Sequence, residues 1–326
     1  MINYNMQIIE QLNSKLGGRV TKDFPLAPLT GYKIGGPAEY YFLAENTDDV
    51  QNAVAVAHDL HLSIFILARG SNVLISDRGF KGLVIHNKSK SISVVDTEMQ
   101  ADAGVNLSLL ANVAKEHGLS GVEFAAGIPG SVGGAVRGNA GAWGTEIKDV
   151  LSKVIIITEN GTIEERMNQQ CNFGYRESVF KTNKEIILTA YFNLEKSTKE
   201  AVQAKTMEIV NKKKTQQEFE SPSAGCVFKN TKVDLTQEEL KKKGIELTAV
   251  NNGLVSSGYL IDQLGLKGFA IGDAMISNVH ANFIINKGGA TAEQIVMLIG
   301  VIKQKVRDKY SIQLQEEIQL VGFDNY

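Results

Sequence analysis

Only five of the 326 residues are proline and two are cysteine, while 34 Lys and Arg nearly balance 36 Asp and Glu, for a formal charge of −2. Each scarcity removes a class of protein. Two thiols, Cys171 and Cys226, are too few for a disulfide framework, so a reducing, cytoplasmic setting is expected. The even charge balance argues against the broad positive field of a nucleic-acid binder. The longest apolar runs, such as 154–157 and 295–299, fall far short of the roughly 20 residues needed to cross a bilayer. Residues 1–18 lack the continuous apolar core of a signal peptide. The expected partner is a small molecule, with no nucleic acid, no membrane and no obligate protein partner.

Familiar phosphate cradles are missing too. No two of the 31 glycines are separated by a single residue, so a G-x-G-x-x-G fingerprint cannot occur. No Gly-Lys dipeptide is present, which excludes a P-loop, and G-x-S-x-G, H-E-x-x-H and C-x-x-C are absent. His58 and His61 lie three apart on a predicted helix without a supporting Cys or carboxylate set. They read as surface or core residues, and no metal site is expected.

What is present is glycine, and it is clustered. Gly127, Gly130, Gly133, Gly134, Gly138, Gly141 and Gly144 fall within 18 residues. At that density successive backbone N–H groups can line one concavity, which suits a pyrophosphate or the polar edge of a planar cofactor. A merely flexible loop is the alternative, opposed by Ile128, Pro129, Val132 and Val136, which stiffen the stretch. The turn Arg69-Gly70-Ser71-Asn72 is a weaker signal, because many strand-connecting turns look alike.

The periodicities predict an α+β chain in three modules. In residues 1–86, Thr47 caps a helix with Val50, Ala53, Val54, Ala57 and Leu60 inward, followed by strands at 62–67, 73–75 and 83–85. In 87–200, a strand at 92–95 leads to a helix through Leu107, Leu110, Ala111 and Ala114 that stops at Gly118. A hairpin turning at Asn160-Gly161 and a strand at 186–192 follow the glycine window. In 201–326, helices at 201–217, 259–264 and onward from Thr291 alternate with strands at 282–286 and 318–321.

Four stretches taken together are specific: Arg69-Gly-Ser-Asn-Val-Leu, Gly127-Ile-Pro-Gly-Ser-Val-Gly-Gly, Tyr175-Arg176-Glu-Ser-Val-Phe-Lys, and Pro222-Ser-Ala-Gly-Cys226-Val-Phe-Lys-Asn230. In this order the chain resembles the UDP-N-acetylenolpyruvoylglucosamine reductase (MurB) family, in its shorter subtype, over nearly the whole length. Thr30 to Ala38 and Leu260 to Gly268 match further segments of that family. The resemblance implies a two-module FAD-binding domain of the vanillyl-alcohol-oxidase (PCMH) type and a C-terminal α+β substrate-binding domain. The implied reaction uses NADPH and non-covalent FAD to reduce UDP-N-acetylglucosamine enolpyruvate to UDP-N-acetylmuramate in peptidoglycan precursor synthesis.

By motif match, Arg69, Gly70, Ser71, Asn72 and Val73 are expected along the pyrophosphate. Gly127, Ile128, Pro129, Gly130, Ser131, Gly133 and Gly134, with Asn139, Ala140 and Gly141, are expected near pyrophosphate and isoalloxazine. Tyr175, Lys214 and Asn230 match substrate contacts. Arg176, Cys226 and Glu317 match catalytic positions.

The chemistry suits those residue types. Hydride addition from flavin N5 to the substrate alkene builds charge into a carboxylate that is already negative, so a fixed cation and donors should face it. Arg176 offers a planar fork, and Glu317 is expected to polarise the enolate in concert with it. Glu316 adjoins Glu317, and strand alternation lets only one of them point into a site. Cys226 stands where serine is usual, and a thiol is a stronger acid than a hydroxyl, so it is assigned the proton. Cys171 has no motif and reads as packing. Trp143 replaces a usual Tyr, and Arg137-Gly138 replaces bulkier residues. Competing readings are a flavin oxidase of the same fold acting on an alcohol or sugar, and a non-catalytic sugar-nucleotide sensor.

Overall fold

Short apolar runs broken by glycine turns fold here into several small sheets. The computed structural model describes residues 2–214 and 221–323. Contacts divide the chain into two units, one of Met1–Phe24, Ala38–Arg69 and Phe80–Thr215, the other of Pro25–Pro37, Gly70–Gly79 and Gln216–Tyr326.

Among the described residues the first unit holds two larger sheets and two two-stranded ones. One has four strands in the order Val20–Pro25, Pro37–Ala44, Phe80–Asn87, Ile64–Leu67, and Phe80–Asn87 runs parallel to both of its neighbours. The helix Thr47–Asp59 covers it, burying Val50, Ala53, Val54 and Ala57, the face its 3.6-residue spacing predicts. Asn46, not Thr47, supplies the cap, accepting from Asp49 N at 2.8 Å. The helix ends at Asp59, which leaves His61 beyond it at φ 53°, so the two histidines share no helical face. The other larger sheet has five antiparallel strands, Ile163–Met167, Leu151–Ile157, Ile186–Asn193, Glu98–Asp102 and Ile92–Val95. Helix Leu107–Glu116 packs in its core and gives way at Gly118, whose φ of 63° suits glycine after a helix. The expected turn at Gly161 is present, at φ 82°. The basic helix of this unit is Lys199–Lys214; residues 215–217, expected to continue it, lie outside the described residues.

The second unit is built on the helix Ala292–Tyr310, whose Ile295, Leu298, Ile299, Ile302 and Val306 are buried. Fully burying each such side chain is worth about 1.5–3 kcal/mol, which makes this helix the unit's spine. Thr291 caps it through Gln294 N, and Gln294 reaches back to close a capping box. The carboxylate of Asp77 takes two further amides of its first turn, Ala292 N at 3.0 Å and Glu293 N at 3.2 Å. That long-range cap fixes residues 70–79 in this unit, together with the parallel pairing of Val73–Ile75 to Gln319–Val321. The strand expected over 282–286 is shorter, Ile284–Asn286, and the short helix is Ser257–Gln263. Among the described residues, no helix is long and apolar enough to cross a membrane.

Candidate active site

The glycine window is a folded element with fixed partners. A single 3-10 turn, Glu123–Gly127, leads through Pro129 and Gly130 to Ser131, whose hydroxyl caps the helix Val132–Gly138 by accepting from Gly134 N at 3.3 Å. The expectation that successive N–H groups face one ligand is corrected here. Val132 N donates to Val105 O and Gly133 N to Ala103 O, both at 2.9 Å, so these amides are spent on the protein.

The glycines themselves divide into two kinds. A Cβ on Gly133 would lie 2.8 Å from Ala103 Cβ, and one on Gly141 would lie 2.6 Å from Thr145 O, so both are required by packing. At Gly134 a Cβ would meet only Ser131 Oγ at 3.4 Å, and at Gly138 nothing within 4 Å. A Cβ has room at both positions, so they leave the open backbone that close approach of a flat cofactor requires. The residues therefore fit an FAD.

The helix ends in Asn139 at φ 41°, a left-handed cap that Asn tolerates. Its side chain is consumed by protein: Nδ2 donates to Glu146 Oε2 at 3.0 Å and Gly174 O at 2.8 Å, and Oδ1 accepts from Lys148 N. Its backbone N–H is engaged as well, donating to Val136 O at 3.1 Å. Through Gly174, Asn139 ties the glycine helix to the segment carrying Tyr175 and Arg176.

That segment is a two-residue turn in which Gly174 and Glu177 exchange backbone bonds of 3.0 and 3.2 Å. Arg176 sits in it at φ 56°. For a residue with a long side chain this conformation costs on the order of 1–3 kcal/mol and persists where surroundings enforce it. The guanidinium lies against the Tyr175 ring, 5.3 Å from its centre, and donates to Gly141 O at 2.8 Å and Asn139 O at 3.5 Å. Glu146 is at 4.0 Å, the outer limit of an ion pair. Ser178, next along, donates to Arg137 O at 2.6 Å. Tyr175 and Arg176 are thus bolted to the C-terminal end of the glycine helix. The signal for Ser178 lay inside the Tyr175-to-Lys181 motif, although its role did not.

Arg69 is exposed at the end of the strand Ile64–Leu67, and its approach is held by a buried pair with no sequence signature. His86 lies 3.1 Å from Ala68 O through Nε2 and 2.7 Å from the Tyr41 hydroxyl through Nδ1. A carbonyl only accepts, so Nε2 carries the proton and Nδ1 accepts from Tyr41. Burial drives the His86 pKa down to about 4, which keeps the ring neutral. Tyr41 in turn stacks on Phe24 at 3.8 Å between ring centres.

In the second unit, Gly70 admits no side chain, since a Cβ would lie 2.2 Å from Leu29 O, and Gly31 N donates to its carbonyl. The Thr30 segment therefore backs this loop. Asn72 Nδ2 donates to Glu317 O at 3.2 Å, and Gln319 N donates to Asn72 O at 3.0 Å. Glu317 N donates to Val227 O at 2.7 Å, and Val227 N to Asn282 O at 2.8 Å. Half-buried Cys226 bridges Phe283. Buried Asn282 clasps Phe228 from both sides, accepting from its N and donating to its O. Backbone bonds thus link the segments that carry Asn72, Glu317 and Cys226. Glu316 turns to Lys303, 2.7 Å away. Asn230 Oδ1 accepts from Ser257 N at 3.2 Å, at the start of the helix Ser257–Gln263.

The side chain of Lys214 lies outside the described residues. Cys171 is buried and bonded to Met167 O, and burial pushes its thiol up to about 11, as packing requires. Among the described residues no cluster of three or more His, Cys, Asp or Glu could hold a metal.

Comparison with known proteins gives two family matches. Residues 38–166 match a model described as an FAD binding domain, and residues 217–321 match the C-terminal domain of UDP-N-acetylenolpyruvoylglucosamine reductase. The reductase of that name from Caldanaerobacter subterraneus subsp. tengcongensis is 37% identical over 94% of each chain, and that of Bacillus subtilis 35% identical over 97% of this chain and 98% of its own. The crystal structure of the reductase from Thermus caldophilus superposes with a TM-score of 0.72 at 30% identity, covering 93% of this chain and 98% of that one.

Proposed function

The chain belongs to the UDP-N-acetylenolpyruvoylglucosamine reductase family and is a flavin-dependent UDP-N-acetylmuramate dehydrogenase, and from that premise we propose which of its residues perform each part of the reaction. A bound FAD would supply the hydride, drawn from NADPH, for reduction of the enolpyruvyl group of the UDP-sugar. The tasks left to protein side chains are to grip a carboxylate that gains negative charge and to deliver one proton to the carbon beside it.

Arg176 binds the substrate carboxylate. The observation carrying this assignment is the left-handed turn fastened to the glycine helix, which holds a guanidinium in place before any substrate arrives. A charge already oriented needs no reorganisation during reaction, and losing one such contact costs roughly 100- to 1,000-fold in rate. Tyr175 lies under the guanidinium and orients the same group. Glu317, whose backbone is gripped by Asn72 on one side and Val227 on the other, polarises the developing enolate. Cys226 Sγ holds the proton and gives it to that carbon, supported by the open backbone at Gly225, where φ is 77° and a Cβ would meet nothing within 4 Å. Gly134 and Gly138 receive the cofactor, while the loop from Arg69 to Val73 binds its diphosphate. Asn230 and Lys214 contact the UDP-sugar. The reaction runs in the cytoplasm, a reading supported by its need for a nicotinamide donor and by two unbridged thiols.

Rapid mixing separates the two halves of turnover. Arg176→Lys and Cys226→Ala should bleach with NADPH as the parent does, yet recover flavin absorbance slowly on addition of enolpyruvyl substrate. Wild-type recovery in Cys226→Ala would remove the proton from that thiol. Loss of bound flavin in Arg176→Lys would move the arginine to a cofactor role.

A further inference from the structure

We propose that Lys181 is a positioning residue for Arg176, a role resting on the reading that Arg176 binds the substrate carboxylate. The ammonium of Lys181 donates to the main-chain carbonyl of Arg176 at 2.6 Å, a short charge-assisted bond. That carbonyl belongs to the peptide following the one residue in the turn at positive φ. Leaving the left-handed region means turning Arg176 about its N–Cα bond, which would swing this carbonyl away, so a lysine that holds the oxygen opposes that turn.

The lysine is itself fixed. It closes the single 3-10 turn Val179–Lys181, whose Phe180 is buried in the same core as Val132 and Val136 of the glycine helix. Ser178, also buried, fastens the start of this turn to Arg137 O. Core packing therefore sets where the ammonium reaches, and the ammonium sets the Arg176 backbone. Attraction between the side chains cannot explain the contact, because both are cations. What joins them is a carbonyl dipole, and its consequence is directional: the guanidinium stays over Gly141 O and Asn139 O.

Lys181 should then influence delivery to the substrate and leave reduction of the flavin alone. The test uses FAD-loaded protein as Lys181→Met, Lys181→Arg, Arg176→Lys and the Lys181→Met/Arg176→Lys double variant, with the two half-reactions timed separately. Misplacing a reacting group by an ångström costs on the order of 10- to 100-fold, so reoxidation of Lys181→Met by substrate should slow by that factor. NADPH bleaching and flavin content should match the parent, and Lys181→Arg should restore most of the rate. Because the lysine acts through the arginine, the double variant should be no slower than Arg176→Lys alone.

A second readout needs neither flavin nor turnover. In the apoprotein, the Gly174 and Glu177 amides should exchange hydrogen about 10-fold faster in Lys181→Met but not in Arg176→Lys. Unchanged exchange together with wild-type reoxidation in Lys181→Met overturns the proposal, as does additivity in the double variant or equal loss of both half-reactions. If Arg176→Lys reoxidises normally while Lys181→Met loosens the turn, the carboxylate reading falls and the clamp stands.

Discussion

Cys226 stands where the family resemblance leads one to expect serine. In the proton-donor role proposed for it a serine hydroxyl could stand in without the liability to oxidation, so Cys226→Ser should retain turnover and survive peroxide that inactivates the parent. Residual activity after a fixed peroxide exposure measures this. His86 makes a different prediction, about pH. Its folded pKa of about 4 lies below the ordinary value of 6.5, so the unfolded chain binds the extra proton first. The stability it contributes is complete above pH 6.5 and is lost as pH falls toward 4, by up to roughly 3 kcal/mol. Urea midpoints at pH 7 and pH 5 should differ less in His86→Gln than in the parent. Neither the His86 contact with Ala68 nor that with Tyr41 was legible in the sequence. The partners stand 18 and 45 residues away, and a lone histidine in an apolar strand carries no mark of what it faces.

Among elements, the glycine helix offers the sharpest test of the cofactor assignment, because two neighbouring glycines should respond oppositely. Gly133→Ala forces its methyl against Ala103 and should cost the apoprotein about 1–3 kcal/mol. Gly134→Ala meets only ordinary contact and, inside a helix, should stabilise the apoprotein by up to ~1 kcal/mol while weakening FAD. Apoprotein melting and flavin titration by fluorescence read the two effects separately. A gain in stability with unchanged FAD affinity removes Gly134 from the cofactor site. The sequence announced this window through its glycine density, but composition could not distinguish glycines demanded by Ala103 from those left bare. The starts and buried faces of the amphipathic helices Thr47–Asp59 and Ala292–Tyr310 were legible, since their apolar spacing lies within their own stretches. Short strands were less so, because Asn282 and Phe283 look like strand yet serve Phe228 and Cys226.

Across the whole molecule, residues 25–37 and 70–79 group with the C-terminal residues. No local pattern could reveal this, since their partners are Asp77 with the helix Ala292–Tyr310, Asn72 with Glu317, and Tyr32 with Asn286. A fragment beginning at 216 lacks the Asp77 cap, the strand Val73–Ile75 and the buried Tyr32 and Leu74. It should show no cooperative melt by circular dichroism, whereas the intact chain does. A sharp transition in the fragment would mean that those segments decorate the unit and do not build it.

The same long reach bears on synthesis. Ala292, Glu317 and Asn286 follow their N-terminal partners by 215, 245 and 254 residues. At ~5–20 residues per second a ribosome leaves Tyr32 and Leu74 waiting roughly 10 to 50 s for the core that will cover them. During that interval the nascent chain exposes sticky segments, and holdase chaperones gain a natural window to act.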